Sequence, residues 1–159
     1  MYSFRNDYSE GAHPKVLQAL ADTNLRQTVG YGMEPCCQAA ADTIRRLCAA
    51  PDAAVHFLVG GTQVNLVTID AFLQSYEAVV AAQTGHVSTH ETGAIEATGH
   101  KVCTVESPDG KLTPALVESV LAGHNGTEHM VLPRMVYISD TTVIGAVYTR
   151  AELAALWQC

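Results

Sequence analysis

The chain has 159 residues, 48% of them apolar and 16% charged, with a net charge of −7 and a pI near 5.4. That is enough chain and enough apolar content for a single domain with its own core, which excludes intrinsic disorder. The acidic balance excludes the basic stripe of a nucleic-acid binder, no window approaches the roughly 18–20 uninterrupted apolar residues of a membrane span, and Met1–Asp7 lacks the apolar centre of a secretion signal.

In chain order, Pro14 suits a first helical turn and Lys15–Asp22 reads as a short helix. The polar stretch Thr23–Gly32 reads as irregular, and Tyr31 sits in it between two glycines. Such a tyrosine is either a turn plug or an exposed contact to a ligand or another subunit. Pro35–Ala49 reads as a second helix that stops before Pro51. It holds the vicinal pair Cys36-Cys37. Five cysteines, an odd number, fit reduced thiols in a cytoplasmic protein better than a disulfide scaffold.

From there the chain alternates. Ala54–Val59 reads as a buried strand that breaks at Gly60-Gly61. Thr62 then reads as the cap of a helix with Leu66, Ile69 and Leu73 on its apolar face. Ala78–Ala82 is an expected strand and His90–Thr98 an expected helix. Lys101–Val105 is a strand, followed by the turn Ser107-Pro108-Asp109-Gly110. Thr113 caps a helix over Pro114–Leu121, Met135–Ser139 is a strand, and Thr149 with Glu152 forms a capping box for a last helix. Alternation of this kind predicts an α/β fold: a mostly parallel sheet between helical layers, a three-layer sandwich. Ligands of such sheets bind beyond the carboxyl ends of the strands. Gly60-Gly61-Thr62, His86 and Asp140-Thr141-Thr142 all fall at such ends.

The Gly60-Gly61-Thr62 turn offers free backbone N–H groups, a hydroxyl and the positive end of a helix dipole, which is what a phosphate needs. It matches neither a Walker loop nor a dinucleotide fingerprint, and a tight turn needing small residues would look the same. His86, a few residues past a strand, could stack on a planar ligand or transfer a proton, or be a surface histidine. A metal site at His86, His90 and Glu91 is not favoured. The His-Glu-x-x-His pattern is absent, and Glu91 and Glu96 read as solvated or capping carboxylates.

Together these stretches are more specific than any one alone. Phe4–Pro14, Val29–Gly32, Phe57–Leu66, Thr84–Ala94, Asp109–Pro114 and Tyr137–Thr142 follow one another as they do in low-specificity L-threonine aldolases. The chain resembles that family along essentially its whole length. Its members are pyridoxal-phosphate lyases of the aspartate-aminotransferase fold, akin to the aromatic β-eliminating lyases. The resemblance implies that residues 1–159 are the N-terminal portion of the large cofactor-binding domain. It implies that Gly61 and Thr62 hold the phosphate of pyridoxal 5′-phosphate. His86 would stack on the ring and serve as a base toward the substrate hydroxyl. Asn6, where many relatives carry serine, would lie beside the carboxylate of a small amino-acid substrate. Tyr31 would reach the active site of a neighbouring subunit in a homo-oligomer, a dimer or tetramer.

Two departures stand out. Val143 falls where relatives often have glutamate, an apolar group in place of a carboxylate. The family chemistry also needs a lysine joined to the cofactor as a Schiff base and an aspartate, in an Asp-Gly-Ala-Arg motif, on the pyridine nitrogen. Lys15, Lys101 and Lys111 do not match the lysine's context, and the motif is absent. The expected function is therefore cleavage of L-threonine or L-allo-threonine to glycine and acetaldehyde in the intact enzyme, with this stretch inactive by itself. The alternatives are a non-catalytic or split-gene half that pairs with a lysine-bearing chain, and a generic phosphate-ligand domain.

Overall fold

A computed structural model describes residues 3, 6, 8–124 and 126–159. Phe4, Arg5 and Asp7 of the opening stretch lie outside the described residues. The chain divides into two compact units, residues 1–57 and 58–159.

The first unit holds two helices. Helix α1 (Pro14–Thr23) starts where His13 Nδ1 accepts the Lys15 N–H at 3.2 Å, with proline at its first position. Helix α2 (Pro35–Leu47) also opens on proline and ends on Arg45 and Arg46, whose charges suit the negative helix end. It stops two residues short of the expected Ala49, which takes a left-handed φ of 51°. Tyr31 and Gly32 are left-handed as well, with φ of 65° and 77°, and form a tight turn before α2.

The second unit contains helix α3 (Gly61–Phe72), strand β1 (Glu77–Ala82), short helices α4 (His86–Thr89) and α5 (Ala94–Ala97), strand β2 (Lys101–Val105), helix α6 (Pro114–Gly123), strand β3 (Leu132–Val136) and helix α7 (Arg150–Trp157). The sheet is parallel with order β2-β1-β3. Strand β1 lies at the centre, and its side chains alternate between two cores. Val79 and Ala81 pack with Ile69 and Leu73 at the C-terminal end of α3, Val87 of α4 and Ile95 of α5. Val80 and Ala82 pack on the other face with Leu112 and Val117, joined by Leu156 of α7. Helices therefore cover both faces, and the three-layer α/β arrangement read from the sequence is present. A strand buried on both sides has to be apolar throughout, which accounts for the continuous run Ala78–Ala82.

Strand β3 is displaced from its expected span. It begins at Leu132, and its pairing with β1 shifts between Ala78 and Val79, so that Pro133 and Met135 face successive β1 residues. Proline has no N–H to give a ladder, and such an irregularity on an edge strand accommodates it. The pairing runs one step further, through Tyr137 N–H to Val80 C=O at 2.8 Å.

Three sequence expectations fail locally. Val55–Val59 is not a strand: the segment is irregular, Val59 is 97% exposed, and no described strand pairs with it. Apolar content alone does not make a strand without a neighbour to take its hydrogen bonds. Thr62 is not the cap of α3. Gly60, in extended conformation, holds that place, and Thr62 lies in the first turn. The single helix expected over His90–Thr98 is broken, because Thr92 and Gly93 are both left-handed, with φ of 51° and 75°.

Candidate active site

The candidate site, the crevice expected beyond the carboxyl ends of the strands, draws mainly on the segments that follow β1 and β3, adjacent in the sheet. After Ala82 the chain turns sharply, with Gly85 N–H donating to Ala82 C=O at 2.8 Å. A Cβ on Gly85 would lie 2.9 Å from that same carbonyl oxygen, so this position tolerates only glycine without a shift. Ser88 Oγ donates to Ala82 C=O at 3.2 Å and Thr89 Oγ1 to Gly85 C=O at 3.0 Å, fastening α4 to the strand end. His86 is thereby fixed at the rim, its side chain 46% exposed.

Glu91 is not the solvated carboxylate expected of it. Its side chain is fully buried, and its Oε1 lies 2.8 Å from His86 Nδ1 and 2.5 Å from Asn65 Nδ2 of α3. Its Oε2 is buried without a hydrogen-bond partner. The left-handed pair Thr92-Gly93 turns the chain immediately after Glu91, which explains why a continuous helix would have misplaced it. The His90 ring stacks on His86 with centroids 5.5 Å apart. Spacing could not reveal this cluster, since Asn65 is 26 residues from Glu91 and His86 is five from it, off any helical period. The one available signal was a threonine–glycine break inside an apparent helix.

Asn65 also ties the cluster to the start of α3, one turn after Gly61. The first hydrogen bond there runs from Val64 N–H to Gly60 C=O at 3.0 Å. The N–H groups of Gly61, Thr62 and Gln63 precede it and have no acceptor within the helix. A Cβ on Gly60 or Gly61 would meet no atom within 4 Å beyond its own chain neighbours and helix backbone, so there is open space beside both glycines. Gln63 Oε1 accepts the Val59 N–H at 2.9 Å and fixes the entry into the turn.

The loop after β3 closes the other side. Thr142 Oγ1 donates to Asp109 C=O at 3.1 Å and accepts the Ala146 N–H at 2.9 Å. Gly110, left-handed with φ of 73°, fits between Thr84 and Thr142, where a Cβ would meet Thr84 Oγ1 at 3.0 Å. The Asp109 carboxyl is held below its usual range, first by the Lys111 backbone N–H. Val143 is partly exposed at 41%, with an apolar side chain that offers no hydrogen bond. Lys111 turns away from the crevice to Glu152, with Nζ 3.0 Å from Oε1. Lys101 stands at the opposite, amino end of β2.

The remaining sequence-derived residues lie in the first unit. Asn6 Oδ1 accepts the Tyr8 N–H at 3.1 Å and the Ser9 hydroxyl at 2.6 Å, a local turn. Tyr31 is fully exposed. Among the described residues, no group of three or more His, Cys, Asp or Glu side chains is placed to hold a metal ion.

Comparison with known proteins places this geometry in a family. Residues 4–159 match the beta-eliminating lyase family model. The chain is 35% identical over 155 residues to a low-specificity L-threonine aldolase of a Pseudomonas species, and 33% identical over 155 residues to another from Pseudomonas aeruginosa. In both cases 96% of this chain is covered but only 44% of the relative. A solved Leishmania major threonine aldolase superposes with a TM-score of 0.94 at 54% identity, over 98% of this chain and 45% of that one. The chain belongs to the beta-eliminating lyase family, and it spans under half the length of these relatives.

Proposed function

We propose that this chain forms the cofactor-facing part of a pyridoxal-phosphate-dependent carbon–carbon lyase of the threonine aldolase kind. The substrates would be L-threonine or L-allo-threonine, and the products glycine and acetaldehyde. The observation that carries this reading is the pairing, through Glu91, of a ring-bearing side chain with the first turns of α3: His86 Nδ1 and the side-chain amide of Asn65, one turn after Gly61, meet one carboxylate oxygen. A planar cofactor with a phosphate tail needs those two contacts at once.

The residues present fit the group. Gly61 and Thr62 supply backbone N–H groups and a hydroxyl for the phosphate at the positive end of α3. His90 stacks against His86 from one side, and the cofactor ring would take the other face. Bound pyridoxal phosphate supplies the electron sink that lets the bond between Cα and Cβ break. His86 would accept the proton of the substrate hydroxyl. Asn6 would hold the substrate carboxylate, and the exposed Tyr31 would reach the site of a second subunit in a homo-oligomer. A cytoplasmic location belongs to the same proposal, and five free cysteines accord with it.

None of the three lysines serves as the Schiff-base residue in this reading. Lys111 is engaged by Glu152, Lys101 lies at the wrong end of the sheet, and Lys15, near the start of α1, has no sequence context matching the family lysine. A polypeptide of residues 1–159 is therefore expected to retain pyridoxal phosphate without releasing acetaldehyde from threonine. Retention is measured by equilibrium dialysis with inorganic phosphate as competitor. Thr62→Val is expected to weaken it by about tenfold, the loss of one hydrogen bond to a charged group. Turnover by this polypeptide would refute the assignment of the lysines. Indifference to pyridoxal phosphate would favour a generic phosphate-ligand domain.

A further inference from the structure

We propose that Glu91 is a positioning residue that sets the tautomer of His86, holding the ring proton on Nδ1 and leaving Nε2 as the free acceptor. This rests on the reading of His86 as the ring-facing base, and it names what makes the imidazole competent for that task.

The hydrogen-bond inventory around Glu91 decides where the proton lies. Oε1 meets both His86 Nδ1 at 2.8 Å and Asn65 Nδ2 at 2.5 Å. An amide nitrogen can only donate, so Oε1 is already an acceptor. A proton on Oε1 would compete with the Asn65 donor for the same region. A proton on Oε2, which has no partner, would leave Oε1 accepting from the same two donors, so the outcome at His86 does not depend on it. The arrangement that satisfies the polar atoms best has Oε1 accepting from two donors, one of them His86 Nδ1–H. Nε2 then carries the lone pair. In unconstrained neutral imidazole either nitrogen can hold the proton, so the partner on one nitrogen fixes the role of the other.

The surroundings show how firmly this carboxylate is held. It is fully buried with one oxygen unpartnered, and the residue after it, β-branched Thr92, is left-handed, an uncommon conformation for such a side chain. A residue serving only to end a helix would not need a buried carboxylate. Asn65 adds a second function. Because it lies on α3, the same carboxylate keeps the helix N-terminus in register with the ring, so His86 and the free N–H groups are positioned by a single group.

The test is the tautomer itself, read by nitrogen NMR of the 159-residue chain with its histidines labelled, at about pH 9, above the ordinary histidine range. His86→Asn identifies the His86 signals. Wild-type His86 is expected in the Nδ1–H form by about tenfold or more over Nε2–H, the bias of one hydrogen bond to a charged acceptor. Glu91→Leu, checked for folding by circular dichroism, is expected to abolish that preference. An Nε2–H or evenly mixed His86 in the wild type overturns the proposal without any variant being needed. So does an unchanged ratio in a folded Glu91→Leu chain. Loss of pyridoxal-phosphate retention with the Nδ1–H form intact would overturn the functional reading and not this one. An Nε2–H ring in a chain that retains the cofactor would overturn only the role given to Glu91.

Discussion

In residues 58–159 every β1 side chain from Ala78 to Ala82 is at most 4% exposed, whereas in residues 1–57 α1 buries none of its residues and α2 buries only Ala41. The difference does not come from apolar content. Helix α1 carries Val16, Leu17 and Leu20 at helical spacing, and each is more than half exposed. A helix stripe is buried only when another element presents a matching face, and within its own unit α1 has no sheet to pack on. In the second unit β1 offers two faces and helices occupy both. The crevice inherits that rigidity, since His86 and Glu91 follow directly from the most buried strand, while Asn6 and Tyr31 stand on exposed turns.

The largest expected effect tests this contrast. Ile95→Ala, at a residue 0% exposed in the core shared by α3, α4 and α5, should cost about 2–5 kcal/mol in urea unfolding. Leu20→Ala in the 159-residue chain should stay within about 0.5 kcal/mol, as for a surface change. Equal costs for the two would show that the first unit has a core of comparable quality. Under the proposed homo-oligomer, light scattering should report more than a monomer; a monodisperse monomer would count against it.

Next in size is the junction that shapes the crevice. Gly110→Ala places a Cβ 3.0 Å from Thr84 Oγ1 at a φ of 73°, where a side chain is strained. It should cost about 1–3 kcal/mol, and because Thr84 leads into His86 it should also weaken pyridoxal-phosphate retention. Unchanged stability would mean that the turn can relax without disturbing its neighbours.

What the sequence made legible follows the same division. Ala78–Ala82 was readable because a strand buried on both faces must be continuously apolar, Lys101–Val105 because a short β-branched run before a turn reads as a strand even when only Cys103 is buried, and the capping box at Thr149 because its spacing is local. Val55–Val59 was misread because its pattern matches a buried strand, while strand formation depends on a partner that periodicity does not report. Of the candidate site residues, His86 follows β1 as the alternation predicts, whereas Gly61 and Thr62 open α3 without the strand expected before them. Asn65 and Glu91 were not legible: their contact crosses between two elements, and it depends on a left-handed Thr92 that no local preference would suggest.

The smallest expected effects lie at α7, the helix closing the second face. Thr149 Oγ1 accepts the Glu152 N–H at 3.2 Å, and Thr149→Ala should cost about 1 kcal/mol, as for loss of a cap. Glu152 answers the Thr149 N–H at 2.6 Å and also pairs with Lys111. The Thr149 backbone N–H first, and the Lys111 ammonium after it, bring the Glu152 carboxyl down to about 2 from the ordinary value near 4.5. A carboxyl that takes up its proton less readily when folded adds stability above its unfolded value and loses it as pH falls through the folded one. The window is therefore between about pH 4.5 and pH 2. Solvent screens the pair, since the Glu152 side chain is 42% exposed, so the amplitude should be modest. Comparing urea midpoints of the wild type and Glu152→Gln from about pH 6 downward isolates this group, because the other carboxyls are common to both. The wild type should hold an advantage at the upper end that narrows steadily toward the lower, and Lys111→Met should keep only the part due to Thr149. An advantage that stays constant across the window would mean that the α7 cap acts through packing alone, and that the rigidity of the second unit owes nothing to charge at this edge.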